Sequence, residues 1–171
     1  MSSKPYAAFI SCIATLTANM LWAETSKLEQ QVNQLRNECT GYVETGQFKG
    51  EDISAYSLET DYFNLKATAM KSFKVSRNGQ VAHLFARHEV LCAGRSMNEF
   101  CGSSGCEYAL IVNDNVFNLR GRFVEIVESS VGPVILLGRA GANCGPYSNA
   151  APCVQAYIWD EDNRSLNAMG N

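Results

Sequence analysis

The chain has little charge and no excess of cations. Only 18% of its 171 residues are charged, with 14 Lys and Arg against 17 Asp and Glu, and the net charge is -3. Nucleic acid is therefore not expected as a partner, because phosphate binding needs a basic footprint. No long apolar run follows the first two dozen residues, and Gly-X-Y and heptad repeats are lacking. A hydrophobic content of 46% instead indicates one globular domain.

The sequence also lacks the common catalytic and cofactor motifs. Gly102-Ser103-Ser104-Gly105 does not have the Gly-x-Ser-x-Gly pattern of a nucleophile elbow, and the glycine-rich stretch 138–145 is not closed by Gly-Lys-Ser or Gly-Lys-Thr. His83 and His88 are five positions apart, so on a regular strand they point to opposite faces and do not share a metal. We therefore predict no catalytic, cofactor-binding or metal-binding residue, and no cofactor.

Residues 1–23 have the features of a secretory signal peptide. Lys4 precedes an apolar stretch over residues 6–16, no acidic residue occurs in the segment, and Ala23 is the small residue that signal peptidase prefers before its cleavage site. An uncleaved anchor is the alternative, disfavoured because threonine and asparagine dilute the apolar run. This interpretation predicts an exported protein with a single domain over 24–171 and no stable membrane span after cleavage.

Cysteine is the residue type that most constrains the predicted mature chain. Six cysteines remain after residues 1–23 are removed, and an even number at this density in an exported chain indicates disulfides before metal ligands or nucleophiles. The six are Cys39, Cys92, Cys101, Cys106, Cys144 and Cys153.

Hydrophobic periodicity predicts a mainly β (α+β) fold, with one N-terminal amphipathic helix docked on an antiparallel, disulfide-stabilised, strand-rich domain. A Ser-x-x-Glu capping box at 26–29 precedes apolar residues that recur at helical spacing from Leu28 to Cys39. A helix is therefore expected over about 26–40, ending at Gly41.

Strands are expected within residues 60–168, where apolar runs alternate with turn residues such as Asn78-Gly79 and Asn113-Asp114. The stretch from Glu44 to Lys71 has an ambiguous pattern, and we expect it to be loop apart from one short strand. The predicted strands are Phe63 to Ala67, Ser72 to Arg77, Gln80 to Leu91, Glu107 to Asn113, Arg122 to Glu128, Pro133 to Arg139 and Val154 to Asp160.

A weak internal repeat relates residues 79–114 to residues 132–160. Each unit consists of a strand, a loop bounded by cysteines and a second strand, although two unrelated hairpins could match by chance. Cys144 and Cys153 are the only pair in the second unit and close a short loop, so we predict a disulfide between them.

The repeat leaves two pairings open for the other four cysteines. By analogy with the second unit, Cys92 would bond to Cys106 and leave Cys101 for Cys39. A sequential arrangement instead joins Cys39 to Cys92, and Cys101 to Cys106 around a short glycine- and serine-containing turn. The sequence does not decide between them.

Five segments carry a resemblance to a known group: Glu89 to Gly94, Phe100 to Cys106, Gly141 to Gly145, Ala151 to Cys153, and Trp159-Asp160. They resemble a widespread group of uncharacterised exported proteins of alphaproteobacteria. The Phe-Cys-Gly-Ser-x-Gly-Cys segment is the most specific part of the resemblance. The likeness implies a Gram-negative periplasmic location and carries no activity with it.

Members of that group commonly carry an Asp-x-Asn-Gly-Asp-Gly-x-x-Asp loop with carboxylates spaced like calcium ligands. Asn78-Gly79 is retained here, but the three Asp positions are Ser76, Gln80 and Leu84. Calcium needs several anionic oxygens, so we predict an Asn-Gly hairpin turn and no bound calcium.

The function that we predict is non-enzymatic binding in the periplasm, to an unknown protein or envelope component such as a hydrolase. Disulfide-held loops form rigid recognition surfaces, since little entropy is lost when they bind. One alternative is a hydrolase of envelope polymers that uses paired carboxylates such as Glu51-Asp52 or those of 160–162, and another is a purely structural envelope protein. The candidate recognition residues are Gly102, Ser103, Ser104, Gly105, Pro146 and Tyr147.

Overall fold

The computed structural model describes residues 10–59, 61–76, 78–130, 132–140 and 153–169, with side chains from Lys27 onward apart from Asn98. In this part of the chain a single α-helix, α1 (Ile10–Thr45), precedes the strands. Three short 3-10 helices cover Ala67–Ala69, Arg87–Glu89 and Asn98–Phe100. The strands are β1 (Gln47–Phe48), β2 (Glu51–Asp52), β3 (Phe63–Leu65), β4 (Met70–Lys74), β5 (Val81–Ala86), β6 (Val90–Cys92), β7 (Arg95–Ser96), β8 (Cys101–Gly102), β9 (Gly105–Val112), β10 (Asn115–Gly121), β11 (Phe123–Ser129), β12 (Gly132–Arg139), β13 (Cys153–Asp160) and β14 (Ser165–Met169).

Helix α1 extends beyond both ends of the predicted helix. It continues past Gly41 because the buried stripe continues, with Val43 lying four residues after the fully buried Cys39. The helix ends at Gly46, whose positive φ of 67° is the left-handed conformation that glycine adopts at helix ends. The Gly46 N–H donates to the Val43 carbonyl at 3.1 Å and closes the last turn.

The strands form two main antiparallel sheets, which confirms the predicted mainly β fold. The central sheet has the order β10-β9-β5-β4, with β8 also paired to β9, and the outer sheet has the order β11-β12-β13-β14. Two smaller sheets, β3-β6-β7 and β1-β2, lie beside α1 and the central sheet. The chain is therefore built in three layers, with the central sheet between α1 and the outer sheet.

Two hydrophobic clusters hold the layers together. The first lies between α1 and the central sheet, and joins Leu35 and Cys39 to Phe85 and Ala109. The second lies between the two sheets, where the next residues along the central strands, such as Leu84 and Leu110, meet the outer sheet. Both faces of the central sheet are thus buried, which explains the unbroken apolar run in β9. The outer-sheet residues that point into the second cluster are Val124, Ile126, Ile135, Leu137, Tyr157, Trp159 and Leu166.

The described disulfides follow the sequential arrangement. Cys39 bonds to Cys92 and Cys101 bonds to Cys106, so the pairing expected from the repeat is wrong. The reason is that β6 pairs with β3, which places Cys92 in the cluster beneath α1 rather than beside β9. Cys153 is also disulfide-bonded, and its predicted partner Cys144 lies outside the described residues.

Other differences from the predicted elements have local causes. The expected strand Gln80 to Leu91 is interrupted, because a 3-10 helix at Arg87–Glu89 separates β5 from β6. Strand β10 was not predicted, since its two asparagines and terminal glycine disfavour β structure. It forms at the edge of the central sheet because the two-residue turn Asn113-Asp114 returns the chain along β9.

Candidate functional site

The side of the outer sheet that points away from the core is apolar over most of its area. We call this surface the outer face. Strand register places its residues in adjoining rows, with Leu136 at the centre between Glu125 of β11 and Ala156 of β13. The apolar members of the outer face are Phe123, Val127, Val134, Leu136, Gly138, Val154, Ala156, Ile158 and Met169.

Several large side chains of the outer face are open to solvent. Val154 is 55% exposed, Val127 44%, Met169 42% and Phe123 39%. The Phe123 ring lies over Gly138, where an added Cβ would be only 2.3 Å from a ring carbon. The two central strands, β12 and β13, carry apolar residues on both sides of the sheet: Leu136 and Ile158 point outward, and Ile135 and Tyr157 point into the core.

Such a surface is unusual for an antiparallel sheet with one solvated face. These sheets normally alternate apolar residues on the core side with polar residues on the solvent side. The polar side chains of the outer face lie at its margins. Glu125 and Asn167 are on the edge strands β11 and β14, and Ser129, Asp160 and Ser165 are at the end of the sheet beside its turns. A contiguous exposed apolar patch of this kind marks an interaction site in soluble proteins.

A second group of functional side chains surrounds the disulfide-clamped hairpin of β8 and β9. Cys101 and Cys106 lie directly opposite each other in the strand register. A ring nitrogen of His88 and the two sulfur atoms all lie within 4.8 Å of one another. His88 also packs edge-on against Tyr108, with 5.1 Å between the ring centroids. We call His88, Cys101 and Cys106 the His-Cys cluster.

An ionic network anchors the 3-10 helix that carries His88. Arg87 Nη2 donates to Gln31 Oε1 on α1 at 2.5 Å and to Asn118 Oδ1 on β10 at 3.2 Å. Its Nη1 lies 3.4 Å from Glu107 Oε2, and Arg120 Nη2 lies 3.2 Å from the other oxygen of Glu107. Since these partners come from α1, β9 and β10, the network limits movement of His88 relative to the central sheet.

Two ionisable groups beside His88 have shifted pKa values. Lys66 donates to Glu89 at 3.0 Å, and this hydrogen bond lowers the pKa of Glu89, so its carboxylate is charged at neutral pH. Burial raises the pKa of Tyr108, with a further contribution from the charge of Glu89. His88 therefore lies between a carboxylate and a phenol that stays protonated at neutral pH.

The predicted recognition residues of the hairpin differ in accessibility. Gly102 and Ser103 are exposed, Ser104 is half-buried and Gly105 is buried against Gly121. The exposed part of this loop is therefore its tip. The other predicted recognition residues, Pro146 and Tyr147, lie outside the described residues.

The carboxylates singled out from the sequence have separate structural partners. Glu51 forms an ion pair with Arg95, and Asp52 accepts a hydrogen bond from the Ser54 N–H at 2.9 Å. Asp160 accepts hydrogen bonds from Asn163 across the β13–β14 turn, and these lower the pKa of Asp160. These three carboxylates stabilise surface turns and hairpins.

A shallow pocket of 590 Å³ lies between α1 and the β1–β2 hairpin. Glu38 is its acidic lining residue and Lys49 its basic one, so it does not supply the two carboxylates that the hydrolase alternative requires. The pocket is lined by Glu38, Gly41, Tyr42, Thr45, Gln47, Lys49 and Gly50.

Fold and site define a disulfide-bonded, three-layer protein with an exposed apolar sheet face. Disulfides of this kind are typical of proteins from an oxidising compartment. No helix in the described part of the chain combines the length and hydropathy of a membrane span. Comparisons with protein-family models, with curated proteins and with solved structures give no match to this chain.

The outer face was not predicted from the sequence, but a signal for it was present. Val134 to Leu137 and Ala156 to Trp159 are continuous apolar runs rather than alternating ones. Such runs indicate strands covered on both faces. The His-Cys cluster had no comparable signal, because His88 and the two cysteines are not close in the sequence.

Proposed function

We propose that this chain is an exported, periplasmic binding protein that docks a partner protein on its outer face. The supporting observation is the apolar surface centred on Leu136, which is continuous across all four strands of the outer sheet. The resemblance of its cysteine-containing segments to exported alphaproteobacterial proteins supports the location. Binding, rather than catalysis, is the activity that a flat apolar surface favours.

The size and chemistry of the outer face suit a protein partner. Four strands spaced about 4.8 Å apart, each contributing residues at about 3.4 Å per position, form a patch on the order of 400 Å². This is the scale of the apolar centre of a protein interface, whose rim is normally polar. Glu125 on one edge strand and Asn167 on the other are suited to that rim.

The sheet is also rigid, which favours binding. Its inner face is packed against the central sheet through Ile135 and Leu137, which are 0% and 1% exposed. Trp159 Nε1 donates to Gln80 Oε1 at 3.2 Å and links β13 to the connection between β4 and β5 of the central sheet. Because the backbone is held in this way, little conformational entropy is lost when a partner covers the surface.

The proposal predicts that a charge on the outer face abolishes partner binding. We expect Val127→Glu to weaken capture of the partner from periplasmic extract by roughly tenfold or more, because an unpaired carboxylate would be buried in the complex. Partner proteins would be crosslinked to the immobilised protein, identified by mass spectrometry and then titrated as purified proteins.

Met70→Glu is the matched control for this experiment. Met70 is 43% exposed, close to the 44% of Val127, and it also lies on a strand, but in the central sheet. We expect this variant to bind the partner as the unchanged protein does. Equal effects of the two substitutions, or a partner whose affinity does not change with Val127→Glu, would refute docking on the outer face.

Export is tested separately. Expressed with its own leader in a Gram-negative host, the protein should be recovered from the periplasmic fraction with an intact mass that begins at Glu24. Alkylation of the denatured, unreduced protein should label no cysteine, since the five described cysteines from Cys39 onward are all disulfide-bonded. Retention of residues 1–23 in a membrane fraction would contradict the proposed export.

A further inference from the structure

The His-Cys cluster has the composition of a metal site held closed by a disulfide. Two cysteine sulfurs and an imidazole nitrogen lie within 4.8 Å of one another, and all three residues are half-buried. The sulfurs of Cys101 and Cys106 are bonded to each other, so neither is a ligand in this oxidised state. Reduction would turn both into ligands for a borderline or soft metal ion.

The backbone would keep the two sulfurs together after reduction. Cys101 is directly opposite Cys106, and Gly102 is directly opposite Gly105, in the β8–β9 hairpin. Directly opposed residues of an antiparallel pair keep their Cβ atoms about 4.5 to 5.5 Å apart whether or not their side chains are bonded. The two thiols would therefore stay on the same side of the hairpin, at a separation that one metal ion can bridge.

The two ring nitrogens of His88 have different surroundings. Its Nε2 lies 3.5 Å from Glu89 Oε1, whereas its Nδ1 is buried and has no hydrogen-bond partner within the described part of the chain. A carboxylate on one ring nitrogen and a metal on the other is the common arrangement at zinc sites. The Ser96 hydroxyl, which donates to the His88 carbonyl at 3.2 Å, and the Tyr108 ring further hold the residue in place.

We propose that the reduced form of this hairpin binds a Zn²⁺ ion through the Cys101 and Cys106 thiolates and the His88 imidazole. The step requires an external dithiol, which becomes a disulfide as it transfers two electrons and two protons to the Cys101–Cys106 bond. Zinc then displaces the thiol protons, and water completes the four-coordinate geometry that zinc prefers. The inference does not depend on the proposed docking function.

The second described disulfide is protected from the same reaction. Cys39 and Cys92 are both 0% exposed, whereas Cys101 and Cys106 are half-buried at the surface of the hairpin. A dithiol must reach a sulfur atom to attack it, so the accessible bond is reduced first. The packing of α1 against the central sheet is therefore preserved when the Cys101–Cys106 bond is reduced.

The experiment uses the full oxidised chain and Co²⁺ as a spectroscopic substitute for Zn²⁺. Brief treatment with dithiothreitol, followed by its removal without oxygen, should reduce Cys101 and Cys106 while Cys39 and Cys92 stay bonded, as read by alkylation and mass spectrometry. Adding Co²⁺ should then produce a thiolate-to-cobalt charge-transfer band at one ion per chain, and Zn²⁺ should displace it. The oxidised chain should show no such band.

Variants separate this site from adventitious binding. Cys101→Ser combined with Cys106→Ser should abolish the band after identical treatment, and a band that remains in this variant would come from other cysteines such as Cys153. His88→Gln should weaken Zn²⁺ binding by roughly 10- to 100-fold, and Glu89→Gln by roughly tenfold. His83→Gln is the matched control, because His83 of β5 is hydrogen-bonded to Ser72 of the neighbouring strand β4 and is not part of the His-Cys cluster, so this variant should leave the affinity unchanged.

Three results would overturn the proposal. They are the lack of a thiolate-to-cobalt band in the reduced chain, equal metal binding before and after reduction, and equal losses from His88→Gln and His83→Gln. Circular dichroism of each oxidised variant shows whether the substitution disturbs the fold before reduction. If Cys39 and Cys92 are reduced first, the proposed selectivity of the hairpin is wrong.

Discussion

Replacing Cys39 and Cys92 together with alanine should lower the free energy of unfolding by about 4 kcal/mol, because the bond closes a loop with a sequence separation of 53 residues. Loop-closure entropy grows with loop length, and the unfolded chain regains that entropy when the bond is lost. This bond also joins α1 to β6 inside the first hydrophobic cluster, where both cysteines are fully buried. Denaturant unfolding under non-reducing conditions measures the change.

The matched control is the second described disulfide. Cys101→Ser with Cys106→Ser should cost only about 2 kcal/mol, because those cysteines are separated by 5 residues and the hairpin register already brings them together. Both cysteines of a pair are replaced in each variant so that no unpaired thiol is left to exchange with another disulfide. Equal losses from the two double variants, or a larger loss from the hairpin pair, would contradict this prediction.

Gly105→Ala should destabilise the protein by about 3 kcal/mol. Gly105 has a positive φ of 111°, where an alanine is strained, and the added Cβ would lie 2.2 Å from the Gly121 carbonyl carbon and 2.6 Å from the Arg122 nitrogen. These are backbone atoms at the passage from β10 to β11, where the Arg122 N–H donates to Gly138 O at 2.6 Å. The obstacle cannot rotate away, so two sheets would have to shift.

Gly102 provides the control for that substitution. It lies opposite Gly105 in the same hairpin, but no atom lies within 4 Å of an added Cβ and its φ is not positive. Gly102→Ala should therefore change the free energy of unfolding by no more than about 0.5 kcal/mol. Thermal unfolding of the two variants measures the contrast, and similar melting temperatures would show that the close approach of Gly105 to Gly121 is not required for stability.

The proposals for the outer face and for the His-Cys cluster concern different parts of the molecule. The outer face is formed by β11 to β14, whereas His88 lies next to β9 of the central sheet. Cys101 and Cys106 lie on β8 and β9, so neither belongs to the outer sheet. Partner capture and metal binding can therefore succeed or fail separately in the experiments described above.

Hydrophobic periodicity predicted the buried side of α1 but not the position where the helix ends. The spacing from Leu28 to Cys39 predicted the buried stripe, and Leu35 and Cys39 are indeed buried. Gly41 suggested an early end because glycine in a helix interior costs up to about 1 kcal/mol. Packing of Val43 and Tyr42 against the first cluster outweighs that cost, and such packing cannot be recognised before the fold is known.

Local periodicity and turn chemistry were sufficient to predict the mainly β class, strands such as β5, β9, β11, β12 and β13, and the turn at Asn113-Asp114. Three other features could be recognised only from the folded chain: the bond between Cys39 and Cys92, the exposed outer face, and the position of His88 beside the hairpin disulfide. Each of these depends on how sheets and helix pack around shared cores. Packing brings together residues that are far apart in the chain, and a local sequence pattern does not indicate which distant surfaces will be in contact.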